Sequence, residues 1–447
     1  LVIRWEDREK IAIPRPNRGG RGGQIVGSYV QDVDVGIHRW PAVLDFKSMY
    51  PSIMISKNIC YTTRIDENAR PDEVPESDYH ESPLGAKFLP QKTRRGLVPR
   101  LLENLMSLRA THKNAMKEAK QVGDTHAEQF HDQMQYAVKI LMNSFYGVFA
   151  SKFYRFTHED LGSSITAWAR SNIKSIINQL GDEGYKIVYS DTDSVFVEAH
   201  VRKDAPVKEP LDGEDRQAWD EATEQLIKFG HELAERFTKD DAELEFETGL
   251  SSFFSHGAKK RYVGQVVWPE TKLLVRGYEV RRTDSFTLLT DAMTEMFSMI
   301  LDGEQEDAVS MVRELIEQVR NRDIRPRDLV ISKSCKGKVL KNGKVDFNAT
   351  YANPDRMVQV RAARQRIEAG LNFTPGMKVG WLVTDGSKSP MKITAWLEDE
   401  TGEVQSDYDA DWYVNRIANS LGRITEAFGW TADDLKKGNR QTNLFSF

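Results

Sequence analysis

The sequence predicts an α+β protein, and three observations predict it. Short apolar runs closed by acids or Pro, such as Ala42-Val43-Leu44-Asp45 and Val195-Phe196-Val197, read as strands. Stretches near 96 to 120, 131 to 149 and 158 to 180 carry the helical period. A length of 447 residues, 40% hydrophobic and 29% charged, is enough for two or more compact substructures with sizeable cores.

In order along the chain, residues 14 to 23, "PRPNRGGRGG", read as a flexible connector or backbone loop. A β-rich piece follows, in which "PAVLDFKSMYPSIMI" joins an apolar strand to a Pro-marked turn. Residues 62 to 90 are polar and Pro-punctuated, hence loop. From Gly96 to about Lys120, Leu101, Leu105 and Leu108 share one helical stripe, and Arg109, Lys113, Lys117 and Lys120 form a neighbouring one. After the second and third helices come strands around 189 to 197, then a charged helix near 216 to 238. Strands return through about 284, and a strong helix lies near 288 to 320. There is no internal repeat.

Composition narrows the function classes. No apolar run approaches the roughly 20 residues that span a bilayer, and the opening "LVIRWEDREK" is not a signal peptide. Cys60 and Cys335 lie far apart in sequence, which indicates neither a disulfide framework nor a cysteine zinc site and points to a reducing, intracellular setting. A chain that begins at Leu1 rather than Met raises the expectation of a missing upstream portion. The net charge of −5 hides clustering. Basic blocks run from Lys92 to Lys120, from Lys259 to Arg282 and from Arg320 to Lys344, while acids gather at 198 to 247. That segregation is what a phosphate-binding groove beside a metal site needs.

The stretch "YSDTDSVFV", residues 189 to 197, sets Asp191 and Asp193 inside a strand-like run. Anions cannot be buried cheaply without hydrogen bonds, a raised pKa or a cation, and a hard divalent metal is one answer. A hairpin tip is the other reading, since Asp-Thr-Asp suits a turn. Asp45 is a further acid at a strand end, far from this pair in sequence. Separate strand-end acids can converge on a metal pair about 4 Å apart that serves phosphoryl transfer.

"DFKSMYPSI", "KILMNSFYG" and "YSDTDSVFV" occur in that order and together resemble the three palm and fingers motifs of family B DNA polymerases, with Met49 in place of the usual Leu. "RRGLVPRLLENLMSLRATHK" looks like the family's first fingers helix, "ELEFE" at 243 to 247 like its acidic palm strand and "KKRY" at 259 to 262 like its Lys-x-Tyr element. The resemblance covers nearly the whole chain and is weakest from about 290 to 436. It implies a right-hand architecture with an antiparallel-sheet palm, helical-hairpin fingers and a mostly helical thumb. The implied divisions are linker and first palm part at 1 to 90, fingers at 91 to 151, second palm part at 152 to 262, thumb at 263 to 440 and a tail at 441 to 447.

The implied activity is DNA-templated extension of a primer 3′-hydroxyl with dNTPs by two-metal-ion nucleotidyl transfer. By resemblance the catalytic acids are Asp45, Asp191 and Asp193. Two Mg²⁺ ions, replaceable by Mn²⁺, would be held by Asp45, Asp193 and the Phe46 carbonyl. Ser48, Met49, Tyr50, Arg109, Lys113, Lys139 and Asn143 would bind the nucleotide, the three cations neutralising the triphosphate. Tyr50 would leave no room for a 2′-hydroxyl. Tyr146 and Gly147 would lie against the nascent base pair, where a Cβ on Gly147 could obstruct the template base. Lys260 and Tyr262 are expected on the primer-template backbone, with Arg281 and Arg282 on the duplex beyond. Glu245 and Glu247 are candidates for a secondary metal or a structural role.

Three departures qualify the resemblance. "GYEVRRTDSF" places its Arg pair one residue early for the family pattern. "GRGGQIV" has Gly20 where the family's Tyr-x-Gly-Gly element has its aromatic, although Gly22 and Gly23 can still let backbone approach the template phosphates. No exonuclease acidic motif is recognised in the short stretch before Asp45, so a fragment, an exonuclease on another chain or a lack of proofreading stay open, the missing Met favouring the first. At the end, "NRQTNLFSF" offers Gln441, Leu444 and Phe447, which resemble the peptide that holds a ring-shaped sliding clamp. The implied location is cytoplasmic and nucleoid-associated. Rival readings are a catalytically silent DNA- and clamp-binding scaffold, a repair or bypass family B polymerase, and a cyclase or nuclease on a similar palm.

Overall fold

The structure is a computed structural model, and it describes residues 2–12, 25–65, 75, 78–151, 154–239, 242–281, 285–397 and 407–438. Along the chain the elements run α1 (Val2–Glu9), β1 (Gly36–Arg39), β2 (Pro41–Phe46), α2 (Met49–Ser56), β3 (His80–Glu81), β4 (Lys87–Phe88), α3 (Leu97–Val122), α4 (Thr125–Ala150) and α5 (Glu159–Asp182). They continue as β5 (Ile187–Asp191), β6 (Ser194–Glu198), α6 (Gly213–Phe237), β7 (Leu244–Ser255), β8 (Tyr262–Trp268), β9 (Lys272–Arg276), α7 (Thr287–Leu301) and α8 (Gln305–Asn321). The last are β10 (Ile331–Ser334), β11 (Lys338–Val339), β12 (Val345–Asp346), α9 (Val358–Glu368), β13 (Lys378–Asp385), β14 (Lys392–Trp396), α10 (Ala410–Thr425) and α11 (Ala432–Lys437). The pairs β1–β7, β2–β6, β2–β7, β3–β4, β5–β6, β8–β9, β10–β13, β11–β12 and β13–β14 are antiparallel, and no helix among the described residues is long and apolar enough to cross a membrane.

The chain divides into two compact units. The first comprises residues 1–32, 40–203 and 220–249. Its sheet has β2 at the centre, flanked by β6 and the first half of β7, with β5 beyond β6. β2 is apolar on both faces: Ala42, Val43, Leu44 and Phe46 are all buried. Such a strand belongs in the middle of a covered sheet, and burial of its side chains against Val195, Phe196 and Val197 on β6 is what holds Asp45 in place.

α3 and α4 form an antiparallel hairpin in this unit, with buried Leu97, Val98, Leu101, Leu102 and Leu105 on α3 and Val138, Met142, Phe145 and Phe149 on α4. The stripe expected on α3 stops one turn early, because Leu108 is 43% exposed where the helix has left the core. α4 begins at Thr125, earlier than the apolar period suggests. The reason is a polar cap: Gly123 takes φ 75° to end α3, and the Asp124 carboxylate accepts the Ala127 N–H at 3.0 Å. Within the stretch read as loop, β3 and β4 pair as a short hairpin through His80–Phe88 and Glu81–Lys87.

The second unit comprises residues 33–39, 204–219 and 250–447. The later half of β7 lies between β1 and β8, and β9 extends that sheet. A three-stranded sheet β10-β13-β14 and helices α7 to α11 share one apolar core around Phe286, Met296, Phe297, Val312, Leu382, Tyr413 and Ile417. The helix expected from 288 to 320 is two helices. Gly303, at φ 88°, ends α7, and α8 starts afresh at Gln305. Hydrophobic period continues across the break because both helices bury a face in the same core, so period alone could not show it.

Candidate active site

The hairpin β5–β6 brings the two readings of residues 189 to 197 together. Asp191 ends β5 opposite Ser194, which begins β6, so Thr192 and Asp193 are a two-residue tip. Thr192 has φ 62°. A β-branched residue in the left-handed region is strained, and the neighbours hold it there. Its N–H donates to the Tyr29 carbonyl at 2.9 Å and its hydroxyl to Asp191 Oδ1 at 2.9 Å, while Ser28 Oγ donates to Thr192 Oγ1 at 3.2 Å. Residues 26 to 31 are themselves fastened beside the tip. Gln31 N–H donates to the Ser190 carbonyl, and Arg170 donates to the carbonyls of Val26 and Gly27.

Asp45 meets this tip across the sheet. It stands between Ser194 on β6 and Glu245 on β7, and the next residue, buried Phe46, donates its N–H to the Asp193 carbonyl at 2.9 Å. Residues paired in register lie about 5 Å apart at Cα, so acids nearly 150 positions apart in sequence are neighbours. Burial pushes the Asp45 carboxyl up to about 8. Asp193 and Glu247 add to the shift, Lys139 opposes it, and Glu245 adds again. Asp193 is likewise raised by burial, its own backbone hydrogen bond working against the charges of Asp191 and Glu247.

The opposite wall is cationic and comes from the α3–α4 hairpin. Arg109, Lys113, Lys139, Asn143 and Tyr146 line the same cavity of about 440 Å³ as Asp45, Phe46, Ser48, Met49, Tyr50, Thr192, Asp193, Glu245 and Glu247. Arg109 Nη1 donates to Ser48 Oγ at 3.4 Å, and its Nε to Gln135 Oε1 at 3.4 Å. Burial lowers the pKa of Lys113, with Arg109 beside it lowering it further, as cations crowded in one half-buried wall must. Ser48, at φ 52°, turns the chain from β2 into α2, so that Met49 is buried and Tyr50 faces Tyr146 at 4.7 Å between ring centroids.

Asp191 and Gly147 stand next to that lining rather than in it. Gly147 is exposed, and a Cβ there would meet no protein atom within 4 Å. Lys260 and Tyr262 belong to the second unit. Lys260 is exposed in a turn at φ 65°, and Tyr262 opens β8 with its ring stacked on Phe253 at 5.4 Å. Arg281 closes a 3-10 turn. Gly22, Gly23, Arg282, Gln441, Leu444 and Phe447 lie outside the described residues.

One side chain the sequence reading missed is Lys47. Its Nζ lies 3.1 Å from Glu243 and 3.2 Å from Glu245, and these bonds raise its pKa although burial works the other way. It sits between the acid wall and the cations, holding Glu245 at the cavity edge. The alternation of β2 could have flagged it only if the register with β7 were known.

Among the described residues no three His, Cys, Asp or Glu side chains group closely enough to cage a metal. Mg²⁺ takes one or two carboxylates and completes its shell with water and substrate phosphates. Asp45 and Asp193, half-buried and mutually repelling, are the donor pair whose burial a divalent cation would offset.

The model of the family described as DNA polymerase family B matches residues 1–209 and 217–428. The chain is 31% identical over 447 aligned residues to DNA polymerase 2 of Aeropyrum pernix, covering 97% of this chain and 48% of that one. To DNA polymerase 1 of Pyrococcus abyssi it is 28% identical over 416, covering 92% and 48%. A solved structure of the family B DNA polymerase from Pyrobaculum calidifontis superposes with a TM-score of 0.60 at 23% identity, over 95% of this chain and 50% of that one. The chain thus spans about half the length of the curated relatives it matches. With a family model matched along nearly its whole length, a mixed helical and antiparallel-sheet fold and the three motifs gathered in one unit, this chain belongs to the family B DNA polymerases.

Proposed function

We propose that the chain is the polymerising portion of a DNA-templated DNA polymerase, extending a primer 3′-hydroxyl with dNTPs and releasing pyrophosphate. One observation carries the reading: Asp45 and Asp193 share a cavity with Arg109, Lys113 and Lys139. An acid wall facing a cationic wall suits a substrate that is a polyanion bound with a divalent cation.

In this reading Asp45, Asp193 and the Phe46 carbonyl hold Mg²⁺, or Mn²⁺ in its place, with Asp191 supporting the site through the Thr192 turn. Two such ions, when bound, would activate the attacking oxygen and stabilise the leaving one. The chain's own groups do the rest. Arg109 offers a bidentate fork, and Lys113 and Lys139 point charges, to the triphosphate. Ser48 orients Arg109 through the bond at 3.4 Å. Tyr50, held against Tyr146, closes the space beside the sugar C2′, and Asn143 with Gly147 leaves the face of the base pair open. Residues 1 to 90 and 152 to 262 form the palm in this scheme, 91 to 151 the fingers and 263 to 440 the thumb. Gly22, Gly23, Lys260, Tyr262, Arg281 and Arg282 would meet the primer-template backbone. Residues 441 to 447, through Gln441, Leu444 and Phe447, would tether a sliding clamp, and an exonuclease-bearing region or chain would supply editing. A cytoplasmic, nucleoid-associated location goes with that partnership.

Primer extension on a primed template with Mg²⁺ is the test. The unaltered chain should elongate the primer, and Asp193→Asn should abolish elongation while leaving primer-template affinity within a few-fold. No elongation by the unaltered chain, or equal turnover by the variant, would remove the proposed activity or the proposed role of Asp193.

A further inference from the structure

The turn that leaves β2 carries two adjacent side chains, Lys47 and Ser48, that hold groups of opposite charge. Lys47 N–H donates to the Glu243 carbonyl at 2.9 Å, which fixes its backbone beside the start of β7. Its Nζ then reaches Glu243 at 3.1 Å and Glu245 at 3.2 Å. One ammonium can take both because residues two apart on an extended chain lie on one face. The next side chain along, Ser48 Oγ, accepts Arg109 Nη1 at 3.4 Å. An acid of β7 and a cation of α3 are thus each occupied by a different member of the same turn.

A cavity of about 240 Å³ shows what that arrangement prevents. Lys47, Ser48 and Glu245 line it together with Arg109, Lys113 and Lys117 of α3. The negative charge of Glu245 bears on both Arg109 and Lys113. Among the described residues, however, neither cation forms an ion pair with it, and its close partner is Lys47. The pair is not a stability device, since the side chains of Lys47 and Glu245 are 36% and 50% exposed and ion pairs so open to water contribute little. Its consequence is local. A guanidinium fork takes a carboxylate as readily as a phosphate, so a released Glu245 would compete for the cations that a polyanionic substrate needs.

We infer that Lys47 is a positioning residue for nucleotide binding: by engaging Glu245 it keeps that carboxylate off Arg109 and Lys113 and leaves both cations open to the triphosphate. The inference rests on the proposed polymerase activity and deepens it by naming what poises the cationic wall before substrate arrives. Lys47 acts through Glu245 and touches no reacting atom. Its positive charge also cancels, at the edge of the cavity, a negative one that would repel the incoming polyanion.

Steady-state primer extension by the whole chain, with dNTP varied at fixed Mg²⁺, tests this. Lys47→Met should raise KM for dNTP about five- to tenfold while changing kcat by less than about threefold, the size expected of one uncompensated charge at a half-exposed site. The rise should shrink between about 0.05 and 0.3 M salt, because screening weakens such a charge. Lys47→Arg should keep the KM of the unaltered chain, and Lys47→Met/Glu245→Gln should return most of the way to it, a recovery that a merely structural defect would not show. Glu245→Gln alone should bind dNTP at least as tightly as the unaltered chain. An unchanged KM in Lys47→Met, no recovery in the double variant, or weaker dNTP binding in Glu245→Gln would each overturn the inference. No extension by the unaltered chain would remove the activity and this inference together, whereas normal extension with a KM indifferent to Lys47→Met would sink the role of Lys47 alone.

Discussion

Gly147 separates packing from function at the level of one residue. It lies in α4 with ordinary helical backbone, and nothing in the protein crowds the place where a Cβ would go. Glycine in a helix costs about 0.5–1 kcal/mol relative to Ala, so its own fold gains nothing from the missing side chain. Gly147→Ala should therefore raise or leave unchanged the melting temperature while lowering primer extension by about tenfold or more, a loss of about 1.4 kcal/mol in transition-state binding. A variant that is both more stable and fully active would show that no substrate atom uses the space. Thr192 is the converse case. The chain tolerates a β-branched residue at φ 62° because its amide and hydroxyl are bonded to Tyr29 and Asp191. From sequence alone Asp191-Thr-Asp left a turn and a metal-binding pair as rivals. Those rivals describe the same atoms, since the tight turn is what points Asp193 back toward Asp45.

At the scale of elements, the site depends on how β7 is pressed into register with β2. Phe246 lies between the two acids of that strand, Glu245 and Glu247, and its ring packs on the bare backbone of Gly230 in α6. A Cβ on Gly230 would run into that ring. Gly230→Ala should cost about 1–3 kcal/mol through overpacking, offset in part by about 1 kcal/mol of helix propensity. The Ala variant should melt earlier in a thermal scan and lose extension activity, while a Phe246→Leu/Gly230→Ala double variant should recover part of both. Additive losses in the double variant would place the two residues out of contact. The helical hairpin α3–α4 was largely readable in advance, because Leu101 and Leu105 keep the period of a buried face and Arg109 and Lys113 keep one turn between them. The boundary at Asp124 was not, because a capping carboxylate leaves no mark in a hydrophobic pattern.

At the scale of the whole chain, the two units meet different demands, and the second carries its own polar network. His256 Nδ1 lies 2.6 Å from the Tyr278 hydroxyl, Arg423 pairs with Glu279 at 2.8 Å, and Arg261 bears on the same group. Burial lowers the pKa of His256 below its ordinary 6.5, Arg261 and Arg423 lower it further, and Glu279 opposes them. With the folded value depressed, the unfolded chain binds the proton more readily. Stability from this group is therefore whole above about pH 6.5 and declines as pH falls from there through the lower folded value. Thermal melts between pH 7.5 and 5 should show an earlier transition at the acid end, flattened in His256→Gln. An identical pH dependence in that variant would assign the effect elsewhere.

What the sequence determined by itself is whatever neighbouring residues enforce: the α+β class, the helices that bury one face, the family motifs and the identity of the acids and cations. Tertiary structure decided what depends on pairing between distant segments. Cross-strand register put Asp45 beside Ser194 and Glu245 and set Lys47 between Glu243 and Glu245. The physical reason is that hydrophobic period records whether a residue is buried but not against what, and the burial and neighbouring charges that raise Asp45 to about 8 exist only once three strands and a helix have come together around it.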